Sequence, residues 1–156
     1  MCRLKGDPRR ADDEVMLPAP AAADLVLDLP RSHIAVGIGR RALRRMLTDC
    51  DAFELVRDAE LAVSELLTLA VVHTSGDVRL SASLDRSSGV LHVGVSDDDP
   101  RPPVAVTLSH PSNLGAGLSV VGAVTTSWGV DTRSSGDGKT VWFEIHQYRP
   151  GSRRSA

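Results

Sequence analysis

The hydrophobic pattern of this chain changes its period at Gly76, and this change limits the fold more than any other feature. Before it, from about Asp51, apolar residues occupy nearly every side of a predicted helix. After it, residues 78–84 alternate between apolar and polar, as in a strand with one buried face. Residues 90–95 alternate in the same way after a polar turn at 85–89, which predicts a β-hairpin.

Shorter signals predict the remaining elements. Asp51 with Glu54 indicates a capping arrangement at the start of the apolar helix. The other elements, in chain order, are a strand at 23–29, a helix capped by Ser32 and running to about Thr48, a short helix at 118–125, and strands at 127–133 and 139–148. This order predicts an α+β two-layer sandwich, in which helices cover one face of a mixed, largely antiparallel sheet.

The size of the chain suits one domain, because 156 residues are too few for two ordinary ones. We expect a flexible N-terminal arm at 1–22, one folded domain at 23–148 and a basic C-terminal tail at 149–156. No segment approaches the roughly twenty apolar residues that a membrane-spanning helix needs. The first fifteen residues also lack the apolar stretch of a signal peptide, so we expect a cytoplasmic protein without a membrane partner.

Charge and cysteine content exclude further classes. The formal net charge of −2 argues against a protein that binds nucleic acid directly, since such proteins are usually basic. The two cysteines, Cys2 and Cys50, cannot form a disulfide framework or a Cys-x-x-Cys metal site. They are interpreted as plain thiols in a reducing compartment.

Glu65 is the anomaly on the apolar helix. A carboxylate on a buried helix must be paired, hydrogen-bonded or protonated, or it must face a pocket. Steps of four place Glu65, Leu69 and His73 on one stripe. One interpretation is a carboxylate that simply reaches solvent; the other is a general base that faces a ligand.

Two more segments carry candidate binding groups. Asp97 ends a predicted strand, where an acid can form a turn, bind a metal or accept a hydrogen bond from an exocyclic amine. The proline-rich loop at 99–114 follows, and a loop of this length is usually functional or mobile. Gly115 and Gly117 then precede the helix at Leu118, where backbone N–H groups can approach phosphate or form an ordinary turn.

The order of these segments resembles the histidine-kinase-like ATPases of the GHKL superfamily. More narrowly, it is similar to the anti-sigma factor serine/threonine kinase domains of actinobacteria, over about residues 23–144. The matching segments are DAELAVSELLTLAVVH at 58–73 for the N box, VSDDDPRPP at 95–103 and GAGLSVVGAV at 115–124 for the two glycine boxes, and GKTVWFEI at 138–145. The resemblance implies the Bergerat ATP-binding fold.

The resemblance also implies a role for each matched residue. Glu65 is implied to act as the general base of phosphoryl transfer, and 99–114 as the lid over ATP. The residues implied to bind the nucleotide are Asp97, which accepts the adenine amino group, Thr140, which supports that contact, and Gly115, Gly117 and the start of the helix at Leu118, which hold the phosphates.

Two positions depart from the family pattern. Leu69 stands where relatives carry the asparagine that coordinates Mg²⁺, and leucine offers no oxygen to a hard cation. Asp99 stands where relatives usually carry a glycine, and it adds bulk and negative charge. The cofactors implied are therefore ATP and, in spite of Leu69, Mg²⁺, with no metal ligand assigned to this chain.

The family function gives two hypotheses for this chain. In the first, it is a protein serine/threonine kinase-like regulator that phosphorylates an anti-sigma factor antagonist and controls a sigma factor by partner switching. In the second, it is a degenerate, non-catalytic member that acts by protein–protein contact alone. The resemblance also allows a homodimer.

A basic face on the first helix bears on the choice of partner. It consists of Arg40, Arg41, Arg44 and Arg45. Such a face is most often solvated, but it could hold an acidic partner protein. Nucleic acid is the third and weakest alternative.

Overall fold

The structure is a computed structural model, and it describes residues 22–101 and 114–148. Its elements are β1 (Ala22–Leu29), α1 (Ile34–Asp49), α2 (Phe53–His73), β2 (Val78–Asp85), β3 (Val90–Asp97), α3 (Leu114–Val124), β4 (Ser127–Thr132) and β5 (Lys139–His146). This is the predicted order. The predicted C-terminal tail, nearly all of the arm and most of the predicted lid lie outside the described residues.

The five described strands form one sheet in the order β1-β2-β3-β5-β4. Every pairing between them is antiparallel, with Leu80 opposite Val95 and Val93 opposite Phe143. The helices pack on one face of this sheet. The predicted α+β two-layer sandwich is therefore confirmed, and its described sheet is wholly antiparallel rather than mixed.

Helix α2 is the centre of the core, because α1, α3 and the sheet all pack against it. It buries residues on several sides: Leu55, Ala59, Ala62, Val63, Leu66, Leu67, Leu69, Ala70 and Val71. Gly39 allows α1 to approach closely, since a Cβ built there would lie 2.5 Å from Cδ1 of Leu67. Alternate residues of β3 and β5, such as Val93 and Phe143, complete the core from below.

Of the two predicted helix caps, the one at Asp51 is wrong and the one at Ser32 is displaced by one residue. Asp51 does not cap α2: its backbone has φ 56°, and α2 follows Ala52 without a side-chain cap. The connection from α1 is too short for a capping box, because the Ala52 N–H already donates to the Leu47 carbonyl. At the start of α1 the N-cap position is His33, but the Ser32 hydroxyl accepts a hydrogen bond from the Ile34 N–H at 3.4 Å.

Cys50 is buried and takes part in a disulfide bond, so the interpretation of both cysteines as plain thiols is wrong. Cysteine usage therefore no longer supports a reducing compartment. None of the helices in the described ranges is both long and apolar enough to span a bilayer.

Candidate functional site

Glu65 and Gly117 lie against each other. Glu65 is half-buried on α2, and Gly117 is buried in the first turn of α3. A Cβ built on Gly117 would lie 2.5 Å from Oε2 of Glu65, so the carboxylate rests in the space that any other residue would fill. The first turn of a helix carries unsatisfied N–H groups and partial positive charge, which stabilises a carboxylate at this position.

The glycine pair lies inside α3 and does not precede it. The helix begins at Leu114, so Gly115 and Gly117 both belong to its first turn. The side chain of Leu118 packs against the hydrophobic core. Leu118 therefore has only its backbone to offer a ligand, and the two glycines add no side chain of their own to this turn.

Asp97 lies at the end of β3, and its side chain is 3% exposed. Its Oδ1 accepts a hydrogen bond from the backbone N–H of Asp99 at 2.9 Å and from Nζ of Lys139 at 3.0 Å. Burial raises the pKa of Asp97, and the hydrogen bond and charge of Lys139 oppose that rise. A buried ion pair therefore holds the carboxylate that the sequence assigned to ligand binding.

Asp99 turns away from this pair and binds Arg101. The Arg101 guanidinium donates to both carboxylate oxygens, with Nη2 to Oδ2 at 2.7 Å. These bonds lower the pKa of Asp99 to about 2. The charge that Asp99 adds to the site is thus matched by a neighbouring cation.

Thr140 does not join Asp97. Its hydroxyl lies 2.7 Å from the hydroxyl of Ser96, the residue opposite it on β3. Because side chains alternate along a strand, this pair is on the face of the sheet that the helices leave open, whereas Asp97 points to the helical face. This position does not fit the role that the resemblance implies for Thr140, which is to support the contact made by Asp97.

Lys139 is the residue that the sequence interpretation missed. It is 2% exposed and faces Asp97 across the β3–β5 pair. Along β5, Lys139 lies on the same face of the strand as Val141 and Phe143, and this alternation predicts a buried lysine. Asp97 likewise shares a face of β3 with Val95. The strand pattern therefore also predicts a buried acid, which could have been paired with the buried lysine.

Leu69 lies one turn beyond Glu65 and is 7% exposed. Its side chain carries no oxygen, at the position where the resemblance implies a metal-binding asparagine. Within residues 22–101 and 114–148, no cluster of three or more histidine, cysteine or acidic side chains could hold a metal ion. The residues present at this position therefore do not fit Mg²⁺.

Helix α2 connects Glu65 with the end of β3, where Asp97 lies. At its C-terminal end, Asp98 accepts hydrogen bonds from the Ser75 N–H at 2.9 Å and the Ser75 hydroxyl at 2.6 Å, and from the Thr74 hydroxyl. These bonds lower the pKa of Asp98 and fix the end of β3 to the end of α2. Thr74 follows Glu65 by nine residues, about 13 Å along a helix axis.

A groove of about 1020 Å³ runs between the outer faces of α1 and α2. Glu65 lines it as well, so the groove reaches the residue that contacts α3. Phe53 and Leu61 expose 60% and 41% of their surface there. The remaining lining residues are Arg40, Arg41, Arg44, Val56, Arg57, Glu60 and Ser64.

The charge of this groove is positive. Four arginines line it against two glutamates, in a chain whose formal net charge is −2. Arg44 pairs with Glu60 at 2.7 Å. Arg40, Arg41 and Arg57 have no ion pair within the described part of the chain, so their charge is available to an acidic partner. Arg45 pairs instead with Asp49 at 3.3 Å, outside the groove.

No family model matches the sequence, and no curated protein matches it. Among solved structures, the chain is similar to the crystal structure of the RsbU and RsbW domains of Rv1364c from Mycobacterium tuberculosis. The TM-score is 0.64 at 20% sequence identity, over 82% of this chain and 33% of that chain. The chain thus spans about a third of the length of the chain it matches, and the likeness shows that the two share a fold.

Proposed function

We propose that this chain is a nucleotide-binding regulatory domain of the anti-sigma factor kinase type, which binds ATP along α2 and controls partner proteins. The observation that carries the proposal is the contact of Glu65 with the first turn of α3. Asp97 lies at the end of β3, which Asp98 fixes to the C-terminal end of α2, and the rise of about 13 Å from Glu65 to Thr74 along α2 suits an extended nucleoside triphosphate. The RsbW-containing neighbour supports the same assignment at the level of the fold.

The phosphate end of the proposed site uses the backbone of α3. The N–H groups of its first turn attract phosphate oxygens, and Gly115 and Gly117 let them approach closely. Bound ATP would supply the transferable phosphoryl group. Glu65 is positioned to accept the proton of a partner's serine hydroxyl, which is the role of a general base.

The groove between α1 and α2 is the proposed docking surface for partners, an anti-sigma factor antagonist or a sigma factor. It ends at Glu65, so a segment bound there would bring a hydroxyl near the proposed base. Its uncompensated arginines favour an acidic segment, and its exposed Phe53 and Leu61 favour an apolar one. An amphipathic, acidic segment of a partner protein meets both conditions.

A second candidate function is binding without phosphoryl transfer, and Leu69 favours it. Without a metal ligand at this position, the domain lacks one of the groups that position the phosphates in catalysis. Leu69→Asn separates the two functions. If Leu69 is the sole defect, the variant binds ATP at least tenfold more tightly with Mg²⁺ than without it and phosphorylates the antagonist protein. No gain in either measurement identifies a domain that acts by contact alone.

The test of nucleotide binding is a titration with a fluorescent ATP analogue, with unlabelled ATP as competitor. Gly117→Asp introduces a negative charge in the first turn of α3, where we place the phosphates. Gly122→Asp is the matched control, since Gly122 is exposed on the same helix and a Cβ there meets only Nε1 of Trp128, at 3.5 Å. We expect saturable binding that Gly117→Asp weakens at least tenfold and Gly122→Asp leaves unchanged.

Two outcomes contradict the proposal. Absence of saturable binding by the wild-type chain at millimolar nucleotide excludes a functional ATP site. Equal weakening by both variants, with folding confirmed by circular dichroism, places the nucleotide elsewhere than the first turn of α3.

A further inference from the structure

Lys139 is a buried lysine with two defined partners. Its Nζ donates to Oδ1 of Asp97 at 3.0 Å and to the backbone carbonyl of Asp99 at 2.7 Å. The side chains of Lys139 and Asp97 are 2% and 3% exposed, so neither charge is compensated by bulk water. Gly138 brings the start of β5 close to this pair, because a Cβ there would overlap the carbonyl oxygen of Asp97.

This pairing changes what the end of β3 can recognise. An isolated carboxylate only accepts hydrogen bonds, so it selects a group that donates, such as an exocyclic amine, and repels a carbonyl oxygen. A carboxylate bonded to an ammonium group is neutral as a pair. The ammonium has three N–H donors, of which the two described bonds use two, so one donor remains beside the carboxylate.

We propose that Lys139 is a specificity-determining residue, which removes the preference of the site for a purine that carries an amine at C6. The inference rests on the proposed function, because it concerns the base end of the same nucleotide site. Its consequence is that ATP and inosine triphosphate, which carries a carbonyl oxygen at C6, bind this chain with similar affinity.

The experiment is competition of the two nucleotides against a fluorescent triphosphate analogue. For the wild-type chain we expect dissociation constants for ATP and inosine triphosphate within about threefold of each other. Lys139→Met keeps the length of the side chain and removes its charge, which leaves Asp97 as an uncompensated acceptor. We expect this variant to prefer ATP by at least tenfold. Arg133→Met is the control, because it removes an exposed cation from the same hairpin.

Each result decides between the two proposals. A wild-type preference for ATP above tenfold overturns the role of Lys139 and leaves nucleotide binding intact. A folded Lys139→Met variant with an unchanged ratio overturns it as well. If that variant does not fold, the wild-type ratio alone decides. Failure of the wild-type chain to bind either nucleotide overturns the proposed function, and this inference with it.

Discussion

The two ends of the candidate site are built in different ways. At one end, the Glu65 carboxylate rests against the backbone of α3, is half-buried, and has no ion pair within the described residues. At the other end, Asp97 and Lys139 form a buried ion pair between two strands. The first end can adjust when a ligand approaches, because it depends on one flexible side chain. The second is fixed by folding, so its chemistry is set before any ligand arrives.

Loss of the buried cation should have the largest effect on stability. Lys139→Met leaves the Asp97 carboxylate buried without a counter-ion, so we expect the free energy of unfolding to fall by about 3–5 kcal/mol. Combining it with Asp97→Asn removes the stranded charge and should recover a large part of that loss. Urea denaturation at pH 7 measures both variants. A cost below about 1 kcal/mol for the single variant would show that the base end is not fixed by this pair.

The acid dependence of stability should separate Asp99 from its neighbours. Since Arg101 lowers the pKa of Asp99 to about 2, the folded chain holds this proton less tightly than the unfolded chain. The contribution to stability is therefore complete above the ordinary carboxyl pKa and is lost as the pH falls toward 2. We expect Asp99→Asn to cost about 1–2 kcal/mol at pH 7, after allowance for the exposure of Arg101, and nearly nothing at pH 2.

Arg101→Gln is the control for this pH dependence. It removes the cause of the lowered pKa and should produce the same loss of pH dependence as Asp99→Asn. If the two variants differ in their profiles between pH 5 and pH 2, the titration belongs to another group, such as Asp97.

A pair of glycine substitutions tests the adjustable end. Gly122→Ala should raise the free energy of unfolding by about 0.5–1 kcal/mol, because alanine is the better helix former and the site has room. Gly117→Ala should give a smaller gain or none, since the new Cβ must displace the carboxylate of Glu65. Adding Glu65→Ala should restore the gain, and a double-mutant cycle of thermal melts measures the coupling. Equal gains at the two glycines would contradict the contact.

The smallest expected effect is the charge of Glu65 itself. Glu65→Gln keeps the shape and removes the interaction of the carboxylate with the positive end of α3. We expect a loss of about 0.3–1 kcal/mol at low ionic strength that diminishes with added salt. A loss independent of salt would mean that Glu65 acts through hydrogen bonding or packing alone.

The layered fold could be predicted from sequence because its signals are periodic. The change of period at Gly76 separates α2 from the β2–β3 hairpin, and the alternation of 90–95 places Val93 and Val95 in the core. The N-terminal caps could not be predicted so well. Asp51 adopts a positive φ because the chain turns tightly between α1 and α2, and that turn depends on tertiary packing rather than on the capping motif.

The candidate site could be predicted only in part, for a related reason. Glu65 stood out as an acid on an apolar helix, and it does contact Gly117. Thr140 was matched by residue type, whereas the strand period assigns it to the opposite face of the sheet from Asp97. Lys139 was overlooked because a lysine is seldom buried unless it is paired. Its partner, Asp97, is 42 residues away in sequence, so the pairing is not visible locally.

Hydrogen exchange of the wild-type chain, with and without saturating ATP, tests the central claim most directly. If one nucleotide spans both ends, ATP slows exchange together in the first turn of α3 and at residues 97–101, and leaves β1 and β2 unchanged. Protection confined to the groove between α1 and α2, or found at one end of the site without the other, would contradict the account.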